Sequence, residues 1–136
     1  MVQGDVGGYL YDANGNVTSK FDARYFTSYA YDALDRLTNK TFFLASNGAQ
    51  TASHSYCYDD AASCGGATVA NSKGRLVSSA NGVGSTRYNN YDLLGRVTSS
   101  TQVIAGPGGG TFNFSNYSYA LAGNLTSMTY PSGRVV

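Results

Sequence analysis

The sequence predicts an all-β protein built as tandem β-hairpins in one curved antiparallel sheet. Three observations carry that prediction. The composition is rich in turn and strand formers and poor in helix formers: twelve Tyr, seventeen Gly, twelve Thr, sixteen Ser and eleven Asn stand against no Glu and three Lys in 136 residues. Aromatic residues alternate in Tyr-x-Tyr phrases, which puts both rings on one face of a strand. The same turn phrase, Asp-x-x-Gly, recurs between such strands. No segment shows helical periodicity beyond two turns.

The first repeat spans residues 9–20. Tyr9-Leu10-Tyr11-Asp12 leads into Ala13-Asn14-Gly15-Asn16 and returns through Val17-Thr18. Asp12 at the turn start can accept backbone N–H bonds, and Gly15 supplies the positive φ of a short hairpin loop. The second repeat, 29–41, has Tyr29, Tyr31 and Asp32, with Asp35 in the glycine position. Asp is among the few residues that tolerate this conformation. The third, 56–79, is split: Tyr56-Cys57-Tyr58-Asp59 is parted by an insertion from Gly74-Arg75-Leu76. The fourth, 88–101, carries Tyr91-Asp92-Leu93-Leu94-Gly95-Arg96-Val97, and the looser fifth, 117–127, carries Tyr117, Tyr119 and Gly123. A partial repeat fills 130–136. Hairpin turns are expected at 12–15, 32–35, 92–95 and 120–123, and Val17, Leu37, Leu76, Val97 and Leu125 should share the tyrosine face. The stretches 46–50, 80–85 and 105–110 read as turn-rich connectors. An isolated hairpin is barely stable in water, so the hairpins must pair edge to edge as one array over 1–136. Leu, Ile, Val and Phe together number only 26, so the core should be thin and Tyr-rich, and Tyr9, Tyr11, Tyr29, Tyr31, Tyr56, Tyr58, Tyr91, Tyr117 and Tyr119 are expected to supply it.

Bulk properties exclude several functions. Nine basic and eight acidic residues, with the Arg scattered, give no electrostatic handle for nucleic acid. The longest apolar run, Phe42 to Ala45, is far too short to span a bilayer as a helix. The first residues lack the basic and apolar regions of a signal peptide, although one could lie upstream. Cys57 and Cys64 have the wrong spacing for a zinc half-site, and His54 has no second His to complete one. The better reading is a disulfide across the insertion of the third repeat, which implies an oxidising compartment.

Other candidate chemistry yields to plainer explanations. Gly82-Val83-Gly84-Ser85 and Gly106-Pro107-Gly108-Gly109-Gly110 lack the residues that complete a dinucleotide or phosphate loop. Asp12 to Asn16 resembles the opening of a calcium loop, but Val17 and Ala23 stand where Gly and the bidentate Glu are required. Asp59-Asp60 fits a turn better than an acid–base pair, and His54 fits a strand side chain better than a triad base. The Asn-x-Ser/Thr matches at Asn16, Asn39, Asn113, Asn116 and Asn124 fall largely at repeat turns, which accounts for them without sugar. No catalytic, cofactor-binding or metal-binding residue is expected.

The phrase Tyr-Asp-x-x-Gly-Arg-Val/Leu-Thr, present in order through most of residues 9–135, resembles the YD repeat of Rhs proteins. That family includes bacterial Rhs effectors, the shell components of insecticidal Tc toxins, wall-associated proteins and animal teneurins. The resemblance implies a sheet that spirals into a β-shell, enclosing or presenting another domain of a secreted or cell-surface bacterial protein. The family's Asp-Pro-containing self-cleavage segment has no counterpart here, so the resemblance implies no proteolysis. Family shells are much longer than five hairpins, so flanking YD repeats are the expected partners and the repeats are expected to continue past Val136. Two further functions compete with this structural one. Exposed Tyr beside Asn, Asp and Arg could bind carbohydrate or a cell-surface partner, and open sheet edges could support self-association into fibres.

Overall fold

A computed structural model describes residues 7–59 and 66–136. It contains ten strands, β1 Gly8–Tyr11, β2 Val17–Phe21, β3 Tyr25–Tyr31, β4 Leu37–Leu44, β5 Gln50–Tyr58, β6 Leu76–Asn81, β7 Gly84–Tyr91, β8 Val97–Ile104, β9 Gly110–Tyr119 and β10 Leu125–Thr129. Strand order follows chain order from β1 to β10 in one sheet, and every described pairing is antiparallel. Among the described residues there is no helix. Each repeat turn joins a strand ending in Tyr to one starting with Val or Leu. The longer strands merge two features that the sequence separates: Thr111–Ser115 and Tyr117–Tyr119, for example, form one strand, β9. The 80–85 connector is also shorter than a loop. Asn81 and Gly84 pair directly, and Asn81 Oδ1 accepts the N–H groups of Val83 (3.0 Å) and Gly84 (2.9 Å).

The chain divides into two compact units, Met1–Ser55 and Tyr56–Val136. In the first, β1 to β4 form two hairpins joined at Asp22, whose Oδ1 accepts the N–H groups of Arg24 (2.9 Å) and Tyr25 (2.8 Å). The register Phe21↔Phe26↔Phe43 brings three phenyl rings into a row with centroids 5.0 and 5.5 Å apart. Tyr29, Lys40 and His54 oppose one another across three strands, and the Lys40 ammonium lies 4.8 Å from the Phe42 ring centre.

The second unit holds the densest packing. Val77 is fully buried, and Val69 and Tyr91 are nearly so, with Tyr88 and Val97 packed against them. Val69 comes from the insertion of the third repeat. That insertion does not stand off as a surface loop: its described part folds onto the Tyr-Val face of the sheet. Asn71 Nδ2 donates to the Tyr91 carbonyl at 2.9 Å, Ser72 Oγ to the Val69 carbonyl at 2.7 Å, and the Arg87 guanidinium to the Ala67 carbonyl at 2.5 Å. A single-layer sheet has no second layer to bury its face, and here eight inserted residues supply a local one.

The expectation that all the repeat tyrosines form the core needs correction. Tyr91 is 6% exposed, but Tyr9 and Tyr11 are 53% and 61% exposed. The two exposed rings lie on β1, which among the described strands is paired only with β2. A YD tyrosine is covered by the hairpin before it, so burial depends on a neighbour rather than on residue type.

Candidate functional site: turns that clasp the next repeat

Among the described residues the repeated turn gathers a recurring set of polar contacts. Asp32 Oδ1 accepts the N–H groups of Leu34 at 2.9 Å and Arg36 at 3.0 Å, and Asp92 Oδ1 does the same for Leu94 and Arg96, both at 2.9 Å. Asp12 matches them with Asn14 at 2.9 Å and Asn16 at 2.8 Å. A main-chain bond from the N–H of the first residue to the carbonyl four residues on closes each turn, at 2.9 Å for Asp12, 3.0 Å for Asp32 and 2.9 Å for Asp92. Ala120 and Tyr130 open turns with the same main-chain bonds but without a carboxylate. The split repeat closes likewise, with Asp59 N–H donating to the Arg75 carbonyl at 2.9 Å and Gly74 N–H to Asp59 Oδ1 at 2.5 Å. Positive φ occurs at Gly15 (89°), Gly74 (78°), Gly95 (79°) and Gly123 (90°), and at Asp35 (59°).

Charge sits inside the turn. Arg36 Nε and Arg96 Nε each donate to the carboxylate four residues earlier, Asp32 Oδ2 and Asp92 Oδ2, at 2.7 Å. These donors hold both carboxyls below the ordinary value: the Arg36 side chain, then its N–H, at Asp32, and the Arg96 N–H, then its side chain, at Asp92. The Asn16 N–H leads the same effect on Asp12. The Asp12 carboxylate accepts from Asn14 and Asn16, and no group of three or more metal-ligating side chains exists among the described residues.

What the turns do is grip their neighbours. In three repeats the Tyr that ends the strand before the turn sends its hydroxyl back to the carbonyl of the first aliphatic residue in the preceding repeat. Tyr31 reaches Val17 at 2.8 Å, Tyr119 reaches Val97 at 2.5 Å, and Tyr91 reaches Leu76. Partial desolvation raises the phenol pKa of all three. Arginine reaches forward. The Arg96 guanidinium lies 4.6 Å from the Tyr119 ring centre and donates to the Ala120 carbonyl at 3.4 Å. The Arg75 guanidinium lies 5.8 Å from the Tyr91 ring centre and donates to the Gly95 carbonyl at 3.2 Å. A Cβ on Gly95 would occupy the space that the Arg75 guanidinium fills.

The first pair of repeats uses a different solution. Asn16 replaces the arginine, and Asp35 replaces the following glycine. Asp35 Oδ1 collects Asn14 Nδ2 at 3.0 Å and Asn16 Nδ2 at 2.7 Å. The residue at the glycine position is therefore matched to the previous repeat: glycine leaves room for Arg75, and aspartate answers two amides.

The other singled-out residues lie apart from these clasps. His54 is on β5 with its ring edge-on to Phe42, centroids 5.8 Å apart. Cys57 is buried in β5 at 6% exposure, while Cys64 and Asp60 lie outside the described residues. The Tyr hydroxyl clasp was not legible in the repeat alone, although the fixed offset between a Tyr that ends one strand and the Val or Leu that starts the next is its signal.

Comparison with known proteins agrees with this geometry. Residues 11–42 match the RHS Repeat family model. The structure superposes on the crystal structure of TcdB2-TccC3-TEV with a TM-score of 0.70, and on that of TcdB2-TccC3 without its hypervariable C-terminal region with a TM-score of 0.72. Each match has 14% sequence identity, covers 95% of this chain and spans 7% of the other chain's length. No curated protein matches the sequence. Residues 11–42 thus carry an RHS repeat, and the fold over 95% of the chain is that of a short stretch of TcdB2-TccC3.

Proposed function

We propose that the chain is a non-enzymatic wall element of a larger YD-repeat shell, which encloses or presents another domain of a secreted or surface-exposed bacterial protein. One observation carries this reading: the carboxylates, guanidinia and phenols around the Asp32, Gly74 and Asp92 turns are spent on closing those turns or on gripping a neighbouring repeat. Asp32 and Asp92 are saturated by their own turns, Arg75 and Arg96 cover the following Tyr, and three Tyr hydroxyls hold preceding carbonyls. A catalytic site needs titratable groups left to converge on a substrate, and this arrangement uses them up as fasteners. The chain spans 7% of the TcdB2-TccC3 chains it resembles, so enclosure would be the work of many such segments.

The test is electron cryomicroscopy of the protein that carries this segment with its flanking sequence. The expected density places β1–β10 in the wall of a closed hollow particle with material inside. A free-standing sheet with no enclosed volume would overturn the proposal.

A further inference from the structure

The sequence holds Asn-Gly pairs at 14–15, 47–48 and 81–82. Glycine has no Cβ to shield its amide nitrogen, so in such a pair that nitrogen can attack the asparagine side-chain carbon. All three asparagines are exposed, so water reaches each of them. The structure separates them by what the attacking nitrogen and the side-chain amide already hold. Gly15 N–H donates to the Asp12 carbonyl at 3.2 Å and Gly48 N–H to the Leu44 carbonyl at 2.8 Å, so both nitrogens are committed to closing their turns. Asn14 Nδ2 also donates to Asp35 Oδ1 at 3.0 Å. Gly82 N–H has no hydrogen-bond partner among the described residues. Asn81 Oδ1 accepts from both Val83 N–H at 3.0 Å and Gly84 N–H at 2.9 Å. Two main-chain donors on one carbonyl oxygen stabilise the negative charge that develops there under attack, which is how an oxyanion hole works. Asn47 Oδ1 has one such donor, Ala49 N–H at 2.9 Å.

We propose that Asn81-Gly82 is a self-modification site, at which water converts the side-chain amide to an acid through a cyclic imide. The Gly82 nitrogen loses its proton to solvent base and bonds to Asn81 Cγ. The Val83 and Gly84 N–H groups hold the charge on Oδ1 until the Cγ–Nδ2 bond breaks and Nδ2 leaves as ammonia, with protons from water. Water then opens the imide. Addition at Cγ breaks the Cγ bond to the Gly82 nitrogen and leaves aspartate at position 81. Addition at the main-chain carbonyl of the same residue breaks the original peptide bond and leaves isoaspartate, with an extra methylene in the main chain. Aspartate keeps an oxygen acceptor for both N–H groups. Isoaspartate lengthens the chain where Asn81 pairs with Gly84 to join β6 to β7, and β6 carries the buried Val77. None of this depends on the enclosure of a cargo, and its failure would leave the shell reading standing.

Peptide mass spectrometry of the whole chain tests it, after incubation in mildly alkaline buffer, folded and in parallel in urea. Trypsin cleavage after Lys and Arg places Asn14, Asn47 and Asn81 in separate peptides, 1–20, 41–73 and 76–87. In the folded chain Asn81 should convert about five- to tenfold faster than Asn14 and Asn47, because those two must first break the hydrogen bond of the following glycine. In urea the three should convert at similar rates, since glycine follows each of them. Methylation by an isoaspartyl methyltransferase should label peptide 76–87 first. Gly82→Ala has open space for its Cβ and no positive φ to strain it; it should slow conversion of Asn81 and leave Asn14 and Asn47 unchanged. Asn81 converting no faster than Asn14 or Asn47 in the folded chain, the same ranking in urea, or an unchanged rate in Gly82→Ala would each overturn the proposal.

Discussion

Gly95 is the position where turn conformation and repeat pairing can be separated by mutation. Its φ of 79° is the left-handed region, where a non-glycine residue costs on the order of 1–2 kcal/mol and a β-branched one more. Asn tolerates that region, so Asn in open space should cost little. Gly123, at φ 90°, is such a place, because a Cβ there meets nothing within 4 Å. At Gly95 any Cβ displaces the Arg75 guanidinium, which donates to the Gly95 carbonyl at 3.2 Å and lies over Tyr91. Losing that bond and that cation–π contact should cost about 1–2 kcal/mol. Gly123→Asn should therefore destabilise by less than about 0.5 kcal/mol, Gly95→Asn by about 1–2 and Gly95→Val by about 2–4. Urea denaturation followed by circular dichroism reads all three against the parent. Equal stability of Gly95→Asn and Gly123→Asn would refute the role given to Arg75. Equal stability of Gly95→Val and Gly95→Asn would refute the conformational part.

Further outcomes follow from the same geometry. Asp12, Asp32 and Asp92 have carboxyls held below the ordinary value of 3.8 by turn hydrogen bonds, so their contribution is full above that pH and is lost as pH falls below it; urea midpoints from pH 6 downward should drop most steeply below about 4. The phenols of Tyr31, Tyr91 and Tyr119 are raised above 10.0, so that stability is full below that pH and is lost as pH rises through the folded values, which tyrosinate absorbance and strand signal should report together. Val69→Ala should cost about 1.5 kcal/mol in thermal denaturation, since the insertion packs that side chain onto Val77 and Tyr91. We propose the Cys57–Cys64 disulfide as the covalent counterpart of this packing: thiol titration of the air-purified chain should find no reactive thiol, and reduction should cost roughly 2–3 kcal/mol, whereas two reactive thiols per chain would exclude it.

The fold class was legible because its two determinants are local. Tyr-x-Tyr alternation and Asp-x-x-Gly turns act within a dozen residues, and they specify ten antiparallel strands in chain order. Register at the turn is local too: Tyr11↔Val17, Tyr31↔Leu37 and Tyr91↔Val97 face each other directly. What escaped was carried by contacts about twenty residues apart. The sequence offers Asp35 as a tolerated substitute for glycine, whereas its side chain is the acceptor for Asn14 and Asn16. The insertion reads as an expanded turn, because nothing in residues 66–73 announces that Val69 will lie on Tyr91. Tyrosine at repeat spacing reads as core, yet the hydroxyl is what pairs one repeat with the last, and Tyr9 and Tyr11 stay exposed where that earlier repeat is not among the described strands.

The tyrosine clasps are the centre of this account, and solution NMR of the hydroxyl protons tests them directly. Tyr31, Tyr91 and Tyr119 should each show a hydroxyl resonance protected from exchange, with cross-peaks to protons around the carbonyls of Val17, Leu76 and Val97. Tyr9 and Tyr11 should show none. Hydroxyl protons of Tyr31, Tyr91 and Tyr119 that exchange with water as freely as those of Tyr9 and Tyr11 would contradict it.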